Sequence, residues 1–167
     1  EGCANDGHEW GYDSFSRIQD GIDAVSGGIV RVAAGTYRER ITMRAGVNVF
    51  GAGMGSSVID ASGLGGSAVE ANRGDIHPGT ALSGFTIQGG NNYSGGGVWI
   101  RNGASPTICD NRIWHNTAHG GGGLLVDGGG SQPFIINNVI EDNTSAVDGG
   151  GVYVRTGARP TLDRNTI

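Results

Sequence analysis

A histidine and an aspartate stand at equivalent positions of a sequence repeat and could form an acid–base pair. His115 and Asp142 occupy the same position in successive repeats, and each is followed by an asparagine. If successive repeats stack like the strands of a sheet, these two side chains lie on backbones about 5 Å apart. A histidine beside a carboxylate can move a proton near neutral pH, so the two are the candidate catalytic residues. A pair beside a turn could equally serve only to stabilise the stack.

A second group of side chains could bind a ligand. Three apolar segments, beginning at Val98, Leu124 and Val152, point alternate residues outward if they are strands. The outward residues form two columns, namely Trp99, Leu125 and Tyr153, and Arg101, Asp127 and Arg155. Aromatic rings and arginines can stack on and hydrogen-bond an acidic polysaccharide. Alternating Arg and Asp also form ordinary cross-strand pairs worth about 0.2 to 1 kcal/mol each, so binding and plain stabilisation both stay open.

Composition removes several classes of function. All 11 basic residues are arginines and the net charge is −5, which excludes a catalytic lysine and disfavours nucleic acid as a partner. No apolar run is long enough for a membrane span. The cysteines, Cys3 and Cys109, have no metal-ligand spacing, so they are free thiols or form an intermolecular bridge. We expect no cofactor; calcium stays open as an alternative, although the sequence shows no recognisable cluster of acidic ligands for it.

The elements that must position these residues are read from the repeat itself. Pro, an aliphatic residue, Asn and Ile recur with a period of about 27 residues in three segments, 105–113, 132–140 and 159–167. A glycine run and a short apolar strand precede each one, giving three short strands per period. A fixed period of this size with strand-like alternation predicts a β-solenoid and excludes helical repeats.

The recurring asparagines are predicted to be structural. Stacked coils place equivalent amides in columns that chain hydrogen bonds and satisfy buried turn groups. The predicted ladder residues are Asn111, Asn138, Asn165, Asn116 and Asn143. Asn92 begins the sequon Asn92-Tyr93-Ser94 in a predicted glycine-rich loop and is the predicted glycosylation site.

These repeats resemble the pectate-lyase-like superfamily of right-handed parallel β-helices, whose coils carry sheets called PB1, PB2 and PB3. The resemblance implies an all-β solenoid of about five coils, each of roughly 27 residues. We expect an N-terminal extension over 1–13, a capping helix within 14–27 and the β-helix over 28–167, its last coil incomplete. The helix carries an apolar stripe, with Asp13 or Ser14 as its N-cap.

The resemblance also implies where PB1 lies. Its predicted strands are Ile29–Ala33, Val58–Ser62, Val98–Arg101, Leu124–Asp127 and Val152–Arg155. This alignment adds Arg31 and Asp60 to the outward columns, and it makes 56–94 the longest coil with a loop at 73–79. Enzymes of the superfamily bind sugars along PB1, and its lyases use clustered acids for calcium with a basic residue. Asp60 and Asp127 would lie two coils apart, about 9 to 10 Å, which is too far for such a cluster.

Two hypotheses about function follow. The last residues stop within a repeat, so we expect either that the chain is a fragment of a longer β-helix or that another copy covers that end, through head-to-tail contacts that could build a filament. The first hypothesis is therefore a secreted or cell-surface structural or adhesive β-helix that self-associates and contacts polysaccharide through PB1. The alternative is a polysaccharide lyase or glycoside hydrolase of the same superfamily. A flat ice-binding face is a poorer third option, because Phe134 interrupts the Thr107 column.

Overall fold

The computed structural model describes residues 14–167, which form one short helix and a stack of parallel strands. The expected N-terminal extension, which contains Cys3, lies outside the described residues. The first coil contains β1 (Gly28–Val32), β2 (Gly35–Tyr37) and β3 (Ile41–Thr42), and the second contains β4 (Val47–Gly51), β5 (Ser57–Asp60) and β6 (Val69–Ala71). The third coil contains β7 (Ala81–Ser83), β8 (Phe85–Gln88), β9 (Asn91–Ser94) and β10 (Val98–Ile100), and the fourth contains β11 (Thr107–Cys109), β12 (Arg112–Trp114), β13 (Thr117–Gly120) and β14 (Leu124–Asp127). The fifth coil contains β15 (Phe134–Ile136), β16 (Val139–Glu141), β17 (Thr144–Asp148) and β18 (Val152–Arg155), and β19 (Thr161–Asp163) follows it. The predicted β-solenoid of about five coils with an N-terminal helix is confirmed.

Strands of successive coils pair in parallel and build three long sheets. Sheet A contains β1, β4, β7, β11, β15 and β19; sheet B contains β2, β5, β8, β12 and β16; sheet C contains β3, β6, β10, β14 and β18. In sheet A, the step from Val30 to its partner Val49 is much shorter than the next step, from Val49 to Leu82. Ile108, Ile135 and Leu162 then follow in register at nearly equal spacing. The repeat is therefore regular only from the third coil onward.

The hydrophobic core is a continuous column inside the three sheets. Aliphatic residues at alternate strand positions point inward, and Ile59, Leu82, Ile108 and Leu124 are fully buried. Each coil exposes most of this apolar surface unless the next coil covers it, so the coils stabilise one another. Among the described residues no helix is long and apolar enough to cross a membrane.

The predicted PB1 alignment is correct for three strands and wrong for two. The strands at Val98, Leu124 and Val152 do stack in sheet C. Ile29–Ala33 overlaps β1 of sheet A, and Val58–Ser62 overlaps β5 of sheet B. Arg31 and Asp60 therefore do not extend the outward columns of sheet C, whose earlier strands are β3 and β6. The alignment failed because the first coils differ in length from the later ones.

The helix α1 (Ile18–Ala24) covers the first coil. Ile18 and Ile22 are buried in the core cluster, as the apolar stripe predicts. Its N-cap is Arg17, which makes no side-chain capping bond, so Ser14 is not the cap, and Asp13 lies outside the described residues. The carboxylate of Glu39 takes this role instead, accepting hydrogen bonds from the backbone N–H groups of Ile18 at 2.7 Å and Gln19 at 3.0 Å.

Two asparagine ladders run along the later coils. In the first, Asn111 Nδ2 donates to Asn138 Oδ1 at 3.2 Å, and Asn138 Nδ2 donates to Asn165 Oδ1 at 3.0 Å. In the second, Asn116 Nδ2 donates to Asn143 Oδ1 at 3.0 Å. The same amides also accept bonds from backbone N–H groups and donate to backbone carbonyls, so each ladder satisfies turn groups that are cut off from water.

A fourth set of strands, which the three-strand prediction missed, follows the sheet B strand and precedes the sheet C strand in each of three later coils. Strands β9, β13 and β17 pair in parallel and form what we call the outer ridge. Glycines join the ridge to sheet C, and Gly95 has φ 61° with an ideal Cβ position only 2.7 Å from Trp99 Cβ. No other residue type combines this conformation with so close an approach. The glycine runs thus fold the ridge against sheet C.

Candidate functional site

The outward face of sheet C holds the predicted ligand-binding residues. Register pairs Trp99 with Leu125 and Leu125 with Tyr153 across three neighbouring coils. Glu70, from β6, lies opposite Trp99 in the coil before. This face combines aromatic, arginine and carboxylate side chains along the solenoid axis.

The first half of the face is a unit of three side chains. The Arg101 guanidinium lies over the Trp99 ring, 4.0 Å from its centroid. Arg101 Nε also donates to Glu70 Oε1 at 2.9 Å, and both charged side chains are largely shielded from solvent. The contacts fix the guanidinium on two sides, which lowers the entropy that it would lose on binding a ligand.

The second half repeats this unit two coils further on. Arg155 Nη2 donates to Asp127 Oδ2 at 2.8 Å, and its guanidinium lies 5.9 Å from the Tyr153 ring centroid. The same Nη2 is 3.4 Å from Ser94 Oγ on the outer ridge. The hydrogen bond from Arg155 holds the pKa of the Asp127 carboxyl below its usual value, and that bond in turn raises the pKa of Arg155. Both groups are therefore charged over the whole neutral range.

Leu125, between the two units, is fully buried although the alternation predicts an outward side chain. It does leave the core, but the glycine run that joins β13 to β14 packs on it, since an ideal Cβ at Gly121 would lie 2.8 Å from Leu125 Cβ. Trp99 and Tyr153 keep partial exposure. The outward face is thus a strip bordered by the ridge, with an apolar residue separating two polar aromatic units.

The Trp99 indole carries a polar atom that lacks a partner. Its Nε1 is shielded from solvent and forms no hydrogen bond with any residue of the part of the chain that the structure describes. A shielded donor without an acceptor costs about 1 to 3 kcal/mol. A buried donor without a partner calls for a specific explanation, such as local strain or a bound water molecule.

The outer ridge carries its own aromatic pair. Tyr93 stacks on His119 of the next coil, with ring centroids 4.6 Å apart and planes 9° apart. Tyr93 is 72% exposed, far more than Trp99 or Tyr153. The ridge therefore adds a solvent-facing aromatic surface beside sheet C.

The candidate catalytic pair is not assembled. Asp142 Oδ2 accepts a hydrogen bond at 3.1 Å from Trp114 Nε1, and the His115 ring stacks on the Trp114 ring with centroids 3.6 Å apart. Both residues are exposed and adopt left-handed φ values of 51° and 52° just before a ladder asparagine. We find no hydrogen bond or ion pair between His115 and Asp142 within residues 14–167. Their arrangement is that of turn residues.

Sheet B carries one similar aromatic and charged group. Arg112 lies 4.6 Å from the Trp114 ring centroid and Arg112 Nε donates to Glu141 Oε1 at 2.7 Å. This group occurs once in the described part of sheet B, whereas the sheet C unit occurs twice in line. Trp114 is therefore a matched comparison for Trp99.

The predicted glycosylation site lies in a strand and not in a loop. Asn92 belongs to β9, and its Nδ2 donates to Ser67 Oγ at 2.9 Å and to the Ser94 carbonyl at 2.8 Å. The amide nitrogen that a glycan would modify is thus engaged in bonds that hold the ridge to the coil before it. Within residues 14–167, no three His, Cys, Asp or Glu side chains are grouped so that they could hold a metal ion.

Sequence reasoning missed Glu70 and Ser94 in this site. Glu70 lies in an irregular coil that the regular repeat does not reach, so no spacing pointed to it. Ser94 precedes a glycine run, and the recurrence of Thr117 at Thr144 was the one sequence signal for the ridge.

The fold and this face define a β-helix repeat protein. The family model described as a right handed beta helix region matches residues 40–167. The chain belongs to this family, which also establishes the predicted handedness of the solenoid. Searches of curated proteins and of solved structures find no match.

Proposed function

We propose that this protein is an adhesive β-helix that acts outside the cell and contacts polysaccharide through the outward face of sheet C. The observation that carries the proposal is the repetition of one unit in line. Aromatic, arginine and carboxylate side chains occur together at Trp99 and again at Tyr153.

The spacing of the units suits a polymer. They stand two coils apart, which is about 9 to 10 Å along the axis. A ligand with a chemical repeat can use both units at once, and simultaneous use raises its apparent affinity without any new kind of contact. A small monovalent ligand would gain nothing from the repetition.

The chemistry of each unit suits sugars. An aromatic ring offers an apolar surface of matching size, while arginine and carboxylate supply donors and acceptors for hydroxyl or carboxylate groups. Because Glu70 and Asp127 already orient the guanidinium groups, little ordering is required on binding.

Affinity electrophoresis in gels that contain polygalacturonate, or a neutral β-glucan, tests the proposal. Wild-type protein should be retarded by one of these polymers. The variants W99A and Y153A should each lose most of the retardation, and W99A/Y153A should lose all of it. W114A is the matched control, since it removes an aromatic ring beside an arginine on sheet B.

Two outcomes would overturn the proposal. One is migration of the wild-type protein unaffected by either polymer. The other is an equal loss of retardation in W114A and W99A, which would show that surface aromatics act without regard to sheet C. Circular dichroism of each variant confirms that the β-helix is intact.

The other sequence-based hypotheses remain separate predictions. A lyase or hydrolase would release unsaturated or reducing products from the same polymers, and that release would stop in R101A or D127A. Head-to-tail self-association would appear in sedimentation as a series of species larger than a dimer.

A further inference from the structure

Sheet A presents an outward face unlike those of sheets B and C. On the middle strands of sheets B and C, the outward residues include ion pairs such as Arg112–Glu141 and Arg101–Glu70. On the middle strands of sheet A, β4, β7, β11 and β15, every outward residue is uncharged. Large apolar side chains stay accessible there, with Phe134 38% exposed. A continuous uncharged face of this kind is typical of a protein contact.

One outward column of this face has a self-complementary order. From the first strand to the last it reads Arg31, Phe50, Ser83, Cys109, Ile136 and Asp163. The ends carry opposite charges, the next positions are large and apolar, and the centre is small. Read backwards, the column keeps the same pattern of size, with the charges exchanged.

From this order we infer that two copies of the chain associate through sheet A, face to face and related by a two-fold axis parallel to the strands. Such an axis reverses the stacking order while it keeps the column opposite itself. Arg31 then faces Asp163 of the second copy, Phe50 faces Ile136, and Ser83 faces Cys109. This is an isologous contact that closes after two copies, unlike the head-to-tail contact expected from the sequence.

The charge at each end is available for this contact. Arg31 is exposed, and the Asp163 side chain is 52% exposed although its carboxylate also lies 3.1 Å from Arg164 Nε in its own chain. A carboxylate can accept bonds from two guanidinium groups, so Arg31 of a second copy adds to the pair. If the two copies instead packed face to face with the same stacking order, Arg31 would face Arg31 and Asp163 would face Asp163.

The size of the face limits the strength of the association. Six strands at about 4.8 Å spacing and three residues per strand give a few hundred Å² per copy, below the roughly 800 Å² of a stable interface. We therefore expect a dimer that dissociates on dilution. Association is independent of polysaccharide contact, because sheet A and sheet C are different faces of the coils.

Crosslinking through Cys109 can test the proposed arrangement of the two copies. It is a half-buried free thiol of the middle strands, and burial raises its pKa above the usual value, so reaction needs mildly alkaline conditions. With facing sheets about 10 Å apart, the two Cys109 Cα atoms of a dimer would be about 11 Å apart. That is too far for a disulfide and within reach of a short bismaleimide.

Sedimentation equilibrium over a wide concentration range is the primary test. Wild-type protein should show a monomer–dimer equilibrium. S83R places two cations at the centre and should weaken dimerisation by at least about tenfold, and R31E by about threefold to tenfold. The double reversal R31E/D163R should restore most of the lost affinity. T36R, an exposed change on sheet B, is the matched control and should leave dimerisation unchanged.

Crosslinking adds a measurement that folding defects do not imitate. In C3S protein, where Cys109 is the single thiol, bismaleimide should give a covalent dimer that S83R suppresses. The thiol moved to sheet B, in C3S/C109S/T36C, should give none. A wild-type chain that sediments as a monomer at every concentration would overturn the inference. So would an oligomer that persists in S83R, or a double reversal no better than R31E.

Discussion

The later coils and the first two coils satisfy their buried turn groups in different ways. From the fourth coil onward, an asparagine recurs at each of two turns and bonds to its counterpart in the next coil. In the first two coils, single side chains do this work. Ser57 Oγ accepts from the Ala52 N–H at 2.9 Å and donates to the Ala33 carbonyl at 2.9 Å, and Glu39 binds the helix N-terminus.

The difference shows what regularity requires. A ladder amide needs a partner amide at the same height in the next coil, so the coils that it joins must keep one length. Where the register steps are unequal, as from Val30 to Val49 and from Val49 to Leu82, no such column can form, and each turn needs its own acceptor. The ladder coils thus all satisfy their buried turn groups in the same way but must keep one length. The first coils use individual side chains, so their lengths can differ.

The strongest test of this comparison is N138A, in the middle of the first ladder. Asn138 is buried and bonds to Asn111, Asn165 and the Ile108 carbonyl. Alanine leaves several buried backbone and amide groups unpaired, so we expect a loss of about 3 to 4 kcal/mol in the free energy of unfolding, measured in urea. The exposed neighbour in N137A should cost about 1 to 2 kcal/mol, chiefly because alanine is strained in its left-handed conformation.

A smaller effect is expected for G123A. An ideal Cβ at Gly123 would lie 2.5 Å from the Gly151 carbonyl oxygen and 2.8 Å from Asn143 Nδ2. The next coil must therefore shift, at a cost of about 2 to 3 kcal/mol in urea unfolding. G79A in the second coil meets nothing within 4 Å and should leave stability unchanged or raise it by up to about 1 kcal/mol. Destabilisation of both variants alike would remove the distinction between the two regions.

The counterpart of N138A in the first coils is S57A. It removes one acceptor and one donor, and we expect a loss of about 1 to 2 kcal/mol in the same urea measurement. An equal cost for S57A and N138A would show that the ladder adds nothing beyond local bonds.

The helix cap tests the first coil alone. E39A removes both bonds to the N-terminus of α1 and should cost about 1 to 2 kcal/mol in urea unfolding. E39Q retains an acceptor oxygen and should cost less. If E39A matched wild-type stability, the helix would not depend on this carboxylate.

The smallest effect concerns the charged pair of Asp127 with Arg155. Because the folded state lowers the pKa of Asp127, the pair stabilises the fold above the unfolded-state pKa of the carboxyl. That contribution, about 1 kcal/mol or less for a partly exposed pair, is lost as pH falls through the folded-state pKa. D127N should flatten this part of the stability profile, and R155M should flatten it equally. An unchanged acid limb in both variants would contradict the assignment.

The sequence predicts the ladder coils well because the same contacts recur in each coil at the period of the sequence repeat. Asn111 and Asn138 meet one coil apart, and their spacing can be read directly. Glu39 caps a helix that lies well before it in the chain, a contact that no local pattern contains. Leu125 is buried beside Gly121, in the glycine run that joins β13 to β14, so alternation alone placed it at the surface. The first coils differ in length, and the sequence repeat does not reveal this. The alignment therefore placed Arg31 and Asp60 on the wrong sheet.

Because the later coils are nearly equal and stack in parallel, distances along the solenoid axis are whole multiples of the spacing between coils. Duplication of residues 111–137 would add one ladder rung and lengthen the solenoid by about 4.8 Å. It would also move the Tyr153 unit one coil spacing further from the Trp99 unit along the solenoid axis. The distance between the two units can therefore change only in steps, and gain or loss of repeats provides a direct route to polymers of a different period.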